Sequence, residues 1–489
     1  MWLQRLCPLI QPTRMLPFTI VIPLLLLTIL LVGVMKLRRR TTTHQYNLPP
    51  GSSGWPIVGE SLELFRGNSE GVPEKFIVDR IERYGSHVFR TSLFGEPMAV
   101  LCGPAGNKFL FSNEGKKVGL WWPASVRRLM GPSLVSKSGE EAKAQKKMMM
   151  MGLFSLEGLV KCIPIMDEVT RHHLATHWQG QGEMKALPII KHYTFEMACR
   201  LFMNITEPQL VSRLFTLFNV FIKGVISMDI NLPGTRFYRA MRAADAIRKE
   251  LRALVKQRRT APDQLDILSY LQVNADDNRK FMPENEVVNN MLNLLFAGHD
   301  TSSSTLTLIM KYLAELPGVH EKVLKEQREI AASKAGGELL NWDDLQRMRY
   351  TWNVVSEVLR MTSPVNGSFR EALVDIDLEG YTIPKGWKLL WSAAFTHKDD
   401  SLHQKAMEFD ESRFEGSGPP PFSYVPFGGG PRMCLGKEFA RMEILVFLHN
   451  LVNHFDWELL IPNEKISYDP MPTPVQGLPI RLRPRVRAV

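Results

Sequence analysis

The residues best placed to do chemistry gather around one cysteine. Cys434 stands in the run Pro426-Phe-Gly-Gly-Gly-Pro-Arg-Met-Cys-Leu-Gly-Lys-Glu-Phe-Ala440, with Phe427, Gly430, Arg432 and Gly436 at fixed offsets from it. Three successive glycines, Gly428 to Gly430, open backbone conformations that a Cβ forbids. Such a turn can aim amide N–H groups at the sulfur and so set its charge and basicity. Phe427 is positioned to shield the sulfur from water, and Arg432 offers a planar fork of donors suited to a carboxylate. Gly436 leaves room for a flat ring system to approach as the next helix begins. That helix, expected over residues 438–455, brings its N-terminal dipole towards the thiolate. The spacing suits a sulfur held beneath a haem iron. A glycine-rich loop with an incidental cysteine is the weaker reading, because these five residues coincide by chance in about one chain in ten thousand of this length.

A second group lies upstream. Pro283 to Glu315 has a proline at its start, acids in its first turn and Pro317-Gly318 beyond its end, which predicts a helix of about 50 Å. Near its middle is Ala297-Gly298-His299-Asp300-Thr301. Ala297 and Gly298 allow close approach of another group, whereas Asp300 and Thr301 are costly inside a helix unless they serve a purpose. Further on, Glu357 and Arg360 stand three residues apart on one helix face, and Arg413 follows in Phe409-Asp-Glu-Ser-Arg-Phe414. On its own the first pair reads as an ordinary salt bridge of little worth.

Phe-x-x-Gly-x-Arg-x-Cys-x-Gly resembles the haem-binding signature of the cytochrome P450 family, and the likeness covers nearly the whole chain after its first 45 residues or so. The resemblance implies a mainly α fold with a smaller β-rich lobe. It also implies haem b with Cys434 as axial thiolate, and oxygen-atom insertion using O2 and electrons from NADPH-cytochrome P450 reductase. Asp300 and Thr301 would be catalytic, managing protons. Phe427, Arg432, Gly436, Arg370 and Lys146 would contact the haem, and Glu357, Arg360 and Arg413 would form a structural triad. Where many members carry Trp-x-x-x-Arg, this chain has Ala142 and Lys146, a point charge in place of a fork. Trp121, Trp122, Ala297, Gly298, Val365 and Phe369 are expected around the substrate, along with other residues of 364–369 and 474–478. For the two tryptophans, plain core packing is an equal alternative. The runs WDDLQRMRYTWNVVSEVLR, IPKGWKLLWSAAFTHK and LPGTRFYRAMRAADAIRKEL resemble plant triterpenoid oxidases acting on β-amyrin-type skeletons, and a related branch of taxane hydroxylases. A sterol hydroxylase and a haem-thiolate isomerase or dehydratase remain as alternatives. The latter needs no acid–threonine pair, so Asp300-Thr301 favours the monooxygenase.

The remaining elements must position these groups. Residues 16–35 contain no charge and are long enough for a bilayer-crossing helix, with Pro23 as a tolerable kink. Lys36, Arg38, Arg39 and Arg40 follow, a bias that leaves the body on the cytosolic side, at the endoplasmic reticulum by resemblance. A cleaved signal peptide fits less well, since the apolar run is long and no small-residue cleavage site follows. The expected layout is an anchor with its basic flank over 1–46 and one haem-thiolate domain over 47–489, opening with a proline-rich hinge over 47–60. Val88–Leu93 and Pro97–Cys102 read as a hairpin. Five scattered cysteines among 489 residues indicate neither a disulfide framework nor a zinc site. The net charge of +10 comes with no dense basic run interleaved with aromatics, which argues against nucleic acid and for a membrane surface or an acidic protein. Lys146, Lys147, Arg432 and Lys437 are candidates for a reductase-facing surface. His172, His173 and His177 invite a metal reading, since the last two share helical spacing, but no acidic third ligand sits in a matching motif, so they read as a solvated helix face.

Overall fold

Apolar residues recurring every three to four positions, bounded by capping residues, build the helical body. The Ser155 hydroxyl accepts from the Gly158 N–H and starts α1 (Leu156–His177). Helix α2 (Ala186–Met203) stops where Asn204 turns left-handed at φ 47°. Pro283 precedes α3 (Glu284–Glu315), with Glu284 and Glu286 in its first turn where the dipole favours acids. Helices α4 (Arg349–Met361) and α5 (Lys437–His454) complete the group around the site. Helix α2 lies along α3, and α5 packs against α1. Their shared interior is dense with aromatics: Trp178, Tyr193 and Phe447 are fully buried, the last two with ring centroids 4.7 Å apart.

The smaller lobe is a five-stranded sheet. β1 (Val88–Leu93) and β2 (Glu96–Leu101) form the expected hairpin, with Phe94 and Gly95 at positive φ in its turn. β3 (Val118–Leu120), β4 (Gly367–Ala372) and β5 (Lys388–Ser392) complete the order β1-β2-β5-β4-β3, with β2 and β5 parallel and the other pairs antiparallel. The register sets Leu120 opposite Arg370 and Phe369 opposite Leu390. Because side chains alternate along a strand, β4 sends Ser368 and Arg370 to one face and Phe369 to the other.

The computed structural model describes residues 46–56, 58–258, 266–274 and 281–485, together with Pro23, Leu26 and Leu27. Apart from those three, the expected bilayer-crossing stretch lies outside the described residues. Among the described residues no single helix is long and apolar enough to cross a membrane. The expected solvated histidine face needs correction: His173 is only 1% exposed. It faces α2, because α1 turns this side inward against its neighbour.

Candidate functional site

A cavity of about 710 Å³ opens above Cys434, within the roughly 300–1,000 Å³ usual for ligand sites. The cysteine loop forms one wall, α3 contributes Ala297, Gly298 and Thr301, and β4 contributes Ser368 and Arg370. Cys434 reaches this position because its N–H donates to Phe427 O at 2.9 Å, while Gly428 N–H donates to Val425 O. Gly428 and Gly430 have positive φ, and a Cβ on Gly430 would stand 2.4 Å from the Phe111 carbonyl oxygen. Gly429 is extended, and is glycine for space, since its Cβ would press on the Phe111 ring.

The sulfur is exposed to the cavity yet otherwise enclosed by protein. Burial raises its pKa, and the Gly436 N–H and the Lys146 ammonium partly offset that rise. The Lys146 Nζ donates to the carbonyls of Pro431 at 2.8 Å and Met433 at 3.0 Å. It therefore braces the cysteine loop while lining the cavity, and two of its three donors are already spent.

Arg370 and Arg432 converge on one carboxylate that sequence reasoning missed. Glu114 accepts from Arg370 Nε at 2.7 Å and from Arg432 Nε at 3.3 Å, and it lines the same cavity. Arg432 also donates to the carbonyls of Leu134 and Lys137. Burial lowers the Arg432 pKa, and Glu114 partly restores it. Two guanidiniums against one carboxylate leave this corner with one net positive charge.

Across the cavity Thr301 donates its hydroxyl proton to Ala297 O at 2.6 Å, so its lone pairs are what it offers inward. Asp300 does not share the cavity. Successive helical residues lie about 100° apart, and its carboxylate instead meets Lys191 of α2 at 2.9 Å, almost fully buried. A Cβ on Gly298 would come within 3.0 Å of the Phe202 ring, so the small residue is a packing requirement there.

The expected substrate residues divide. Trp122, Val365, Ala297 and Gly298 line the cavity; Trp121 and Phe369 do not. Phe369 falls on the opposite face of β4, where Trp121 packs edge-on against it at 5.6 Å. Residues 474–478 are also outside the lining: the carbonyls of Gly477 and Leu478 accept from the first residues of α2.

Glu357, Arg360 and Arg413 meet away from the cavity. Arg360 makes two bonds of 2.7 Å to Glu357, and its remaining donors reach the carbonyls of His397, Ala406 and Glu408. Arg413 stands 3.4 Å from the same carboxylate. Side-chain exposure of Glu357 and Arg360 is zero, so removing either partner would strand a buried charge at a cost of about 3–5 kcal/mol.

A further acid was missed. Glu443 on α5 is 1% exposed, and neither carboxylate oxygen completes a hydrogen bond. Ser302 lies close enough to lower its pKa slightly without reaching bonding geometry; burial dominates and pushes it up to about 8. An acid inside an otherwise apolar helical run was the available signal. Glu114 and Lys191 carried none.

These residues fit a haem. Among the described cysteines Cys434 alone faces the cavity, and Cys102, Cys162 and Cys199 are buried elsewhere. A Cβ at Gly436 would meet no protein atom within 4 Å, leaving open space beside the sulfur. The Arg370–Arg432 corner carries positive charge suited to haem carboxylates. Fold and cavity together define a haem-thiolate protein, with iron and an axial cysteine thiolate.

The chain belongs to the cytochrome P450 family, whose model matches residues 49–478. It is 52% identical over 444 residues to a Beta-amyrin 28-monooxygenase of Vitis vinifera, covering 90% of this chain and 92% of that one. A Beta-amyrin 28-monooxygenase of Kalopanax septemlobus is 49% identical, with 91% and 93% covered. Among solved structures, retinoic acid-bound cyanobacterial CYP120A1 superposes with a TM-score of 0.83 at 34% identity, covering 90% of this chain and all of that one.

Proposed function

We propose that this chain is a membrane-anchored monooxygenase that oxidises a pentacyclic triterpene of the β-amyrin type at its C-28 methyl. It uses O2 and electrons from NADPH-cytochrome P450 reductase. The observation that carries the reading is a largely apolar cavity with one cysteine in its wall, in a chain about half identical to enzymes named for that reaction. Taxane and sterol hydroxylation rest on thinner resemblance, and the oxygen-dependent relatives leave isomerisation without support.

Bound haem supplies oxygen activation and the difficult C–H chemistry. Cys434 would hold the haem iron through its thiolate, which the Gly436 N–H and Lys146 would stabilise and Phe427, beside it in the cavity lining, would shield. Arg370 and Arg432 would hold the haem carboxylates, while Glu114 keeps the two guanidiniums from repelling each other. Thr301 accepts a proton-bearing hydrogen bond from the cavity side, since its own proton is committed to Ala297 O. Asp300 acts from behind it: paired with the partly exposed Lys191, it links the helix interior to solvent and replenishes protons. Trp122, Val365 and the Ala297–Gly298 surface hold the apolar skeleton and keep bulk water out. Glu357, Arg360 and Arg413 keep the segment before the cysteine loop rigid.

Residues 16–35 anchor the chain in the endoplasmic reticulum membrane with the domain in the cytosol, and 47–60 form the hinge. Exposed Trp55, Met228 and Leu232 support contact with the bilayer. The test is expression in microsomes with a plant reductase, fed β-amyrin. The expected outcome is NADPH-dependent product oxidised at C-28. Turnover of a taxadiene-type substrate with none of β-amyrin would overturn the substrate, and absence of a thiolate-type carbon monoxide band would overturn the chemistry.

A further inference from the structure

The histidines that sequence could not connect come together in three dimensions. His173 and His177, one turn apart on α1, face His192 of α2, with ring centroids separated by 4.6, 5.8 and 5.2 Å. One ring nitrogen from each can be chosen so that all three lie within 4.8 Å of one another. His173 is only 1% exposed, yet neither of its nitrogens has a hydrogen-bond partner, and Nδ1 of His192 lacks one too. Leaving such groups unsatisfied costs about 1–3 kcal/mol each, so an aromatic hydrocarbon would serve better if the ring only filled space.

We propose that His173, His177 and His192 bind a divalent transition-metal ion, zinc above all, that ties α1 to α2. Three imidazoles plus an open fourth position is a common zinc donor set. Nitrogens on a tetrahedral zinc stand about 3.3 Å apart, so rotamer adjustments of roughly an ångström close the site. The fourth position goes to water, or to Glu196, whose Oε2 lies 3.9 Å from His192 Nδ1. Sulfur and carboxylate ligands are otherwise absent from the cluster, which disfavours calcium and magnesium. Lys191, the partner of Asp300, immediately precedes His192, so the metal would also fix the turn of α2 that holds that ion pair.

The test uses the full-length holoenzyme in detergent, stripped with chelator and titrated calorimetrically with zinc chloride. Wild type is expected to show one site, and a thermal midpoint that rises with zinc. His177→Gln and His192→Gln should each weaken that site at least tenfold and abolish the rise, while exposed His172→Gln leaves both intact. The thiolate-type carbon monoxide band serves as the folding check for each variant; His177 is only partly buried, so it is the safer change. Equal zinc affinity in wild type and both variants, or no stoichiometric site in wild type, overturns the proposal.

Discussion

Replacing Glu443 by glutamine should flatten part of the pH dependence of stability. The carboxyl is buried without a completed hydrogen bond, and its pKa is pushed up to about 8 from the usual 4.5. In the unfolded chain it ionises near 4.5, whereas in the folded protein it keeps its proton until about pH 8. Its contribution is therefore fully present below pH 4.5 and is lost as pH rises through the folded value. Each pH unit across that window costs about 1.4 kcal/mol, so between pH 5.5 and 8 wild type loses about 3 kcal/mol that glutamine, which cannot ionise, does not lose.

Unfolding entropy of about 0.9 kcal/mol/K for a folded body of this size converts that figure to a midpoint shift of about 3 °C. The assay is the thermal midpoint of wild type and Glu443→Gln across pH 5.5 to 8.5, read as the difference between the two. The difference matters because His299, His397 and His449 are held neutral by burial, with values near 4, 3 and 4. Those groups destabilise the fold as pH falls below their unfolded value, the opposite sign, and both proteins carry them. The size of the offset at any one pH reflects the cost of burying an amide, so only its change with pH bears on the acid. Parallel profiles with no convergence or divergence over this range would refute the protonated acid.

Two further substitutions probe the cavity. Thr301→Ala removes the lone pairs facing inward and should raise peroxide release per NADPH while product falls tenfold or more; unchanged coupling would remove Thr301 from proton handling. Glu114→Gln leaves Arg370 and Arg432 side by side without their carboxylate, which should cost haem-free protein about 3–5 kcal/mol. Haem carboxylates would supply the missing charge, so the loaded protein should lose much less by thermal midpoint; equal losses would mean that the two arginines do not hold propionates.

What the sequence made legible was what the chain writes contiguously. Phe427 to Gly436 determine one turn through local backbone geometry, and Ala297 to Thr301 occupy one stretch of helix, so their spacing carries their arrangement. Glu114 meets Arg370 and Arg432 across more than two hundred residues, and no spacing rule spans that distance. Trp121 and Phe369 were expected at the cavity because the family resemblance places their segments there. Phe369 sits in a strand that sends adjacent side chains to opposite faces, and Trp121, just past the end of β3, packs against it there, so nearness in the sequence could not decide either. The same limit hid the third histidine: His173 and His177 share a helix, and His192 arrives from the next one.

Asp300 shows how tertiary context decides what a contiguous motif presents to a cavity. Thr301 faces the cavity, whereas the Asp300 carboxylate, about 100° round the helix, is turned away from it and partnered from behind. That partner, Lys191, belongs to α2, and α2 also holds the His299 imidazole and carbonyl through the Thr194 hydroxyl at 2.9 and 3.1 Å. Two successive residues of α3 beside Thr301 are thus held by a single neighbouring helix, which in turn meets α1 through the histidine cluster. Any change in how α2 sits, by mutation or by metal, should therefore reach proton handling before it reaches the sulfur, whose loop is braced independently by Lys146.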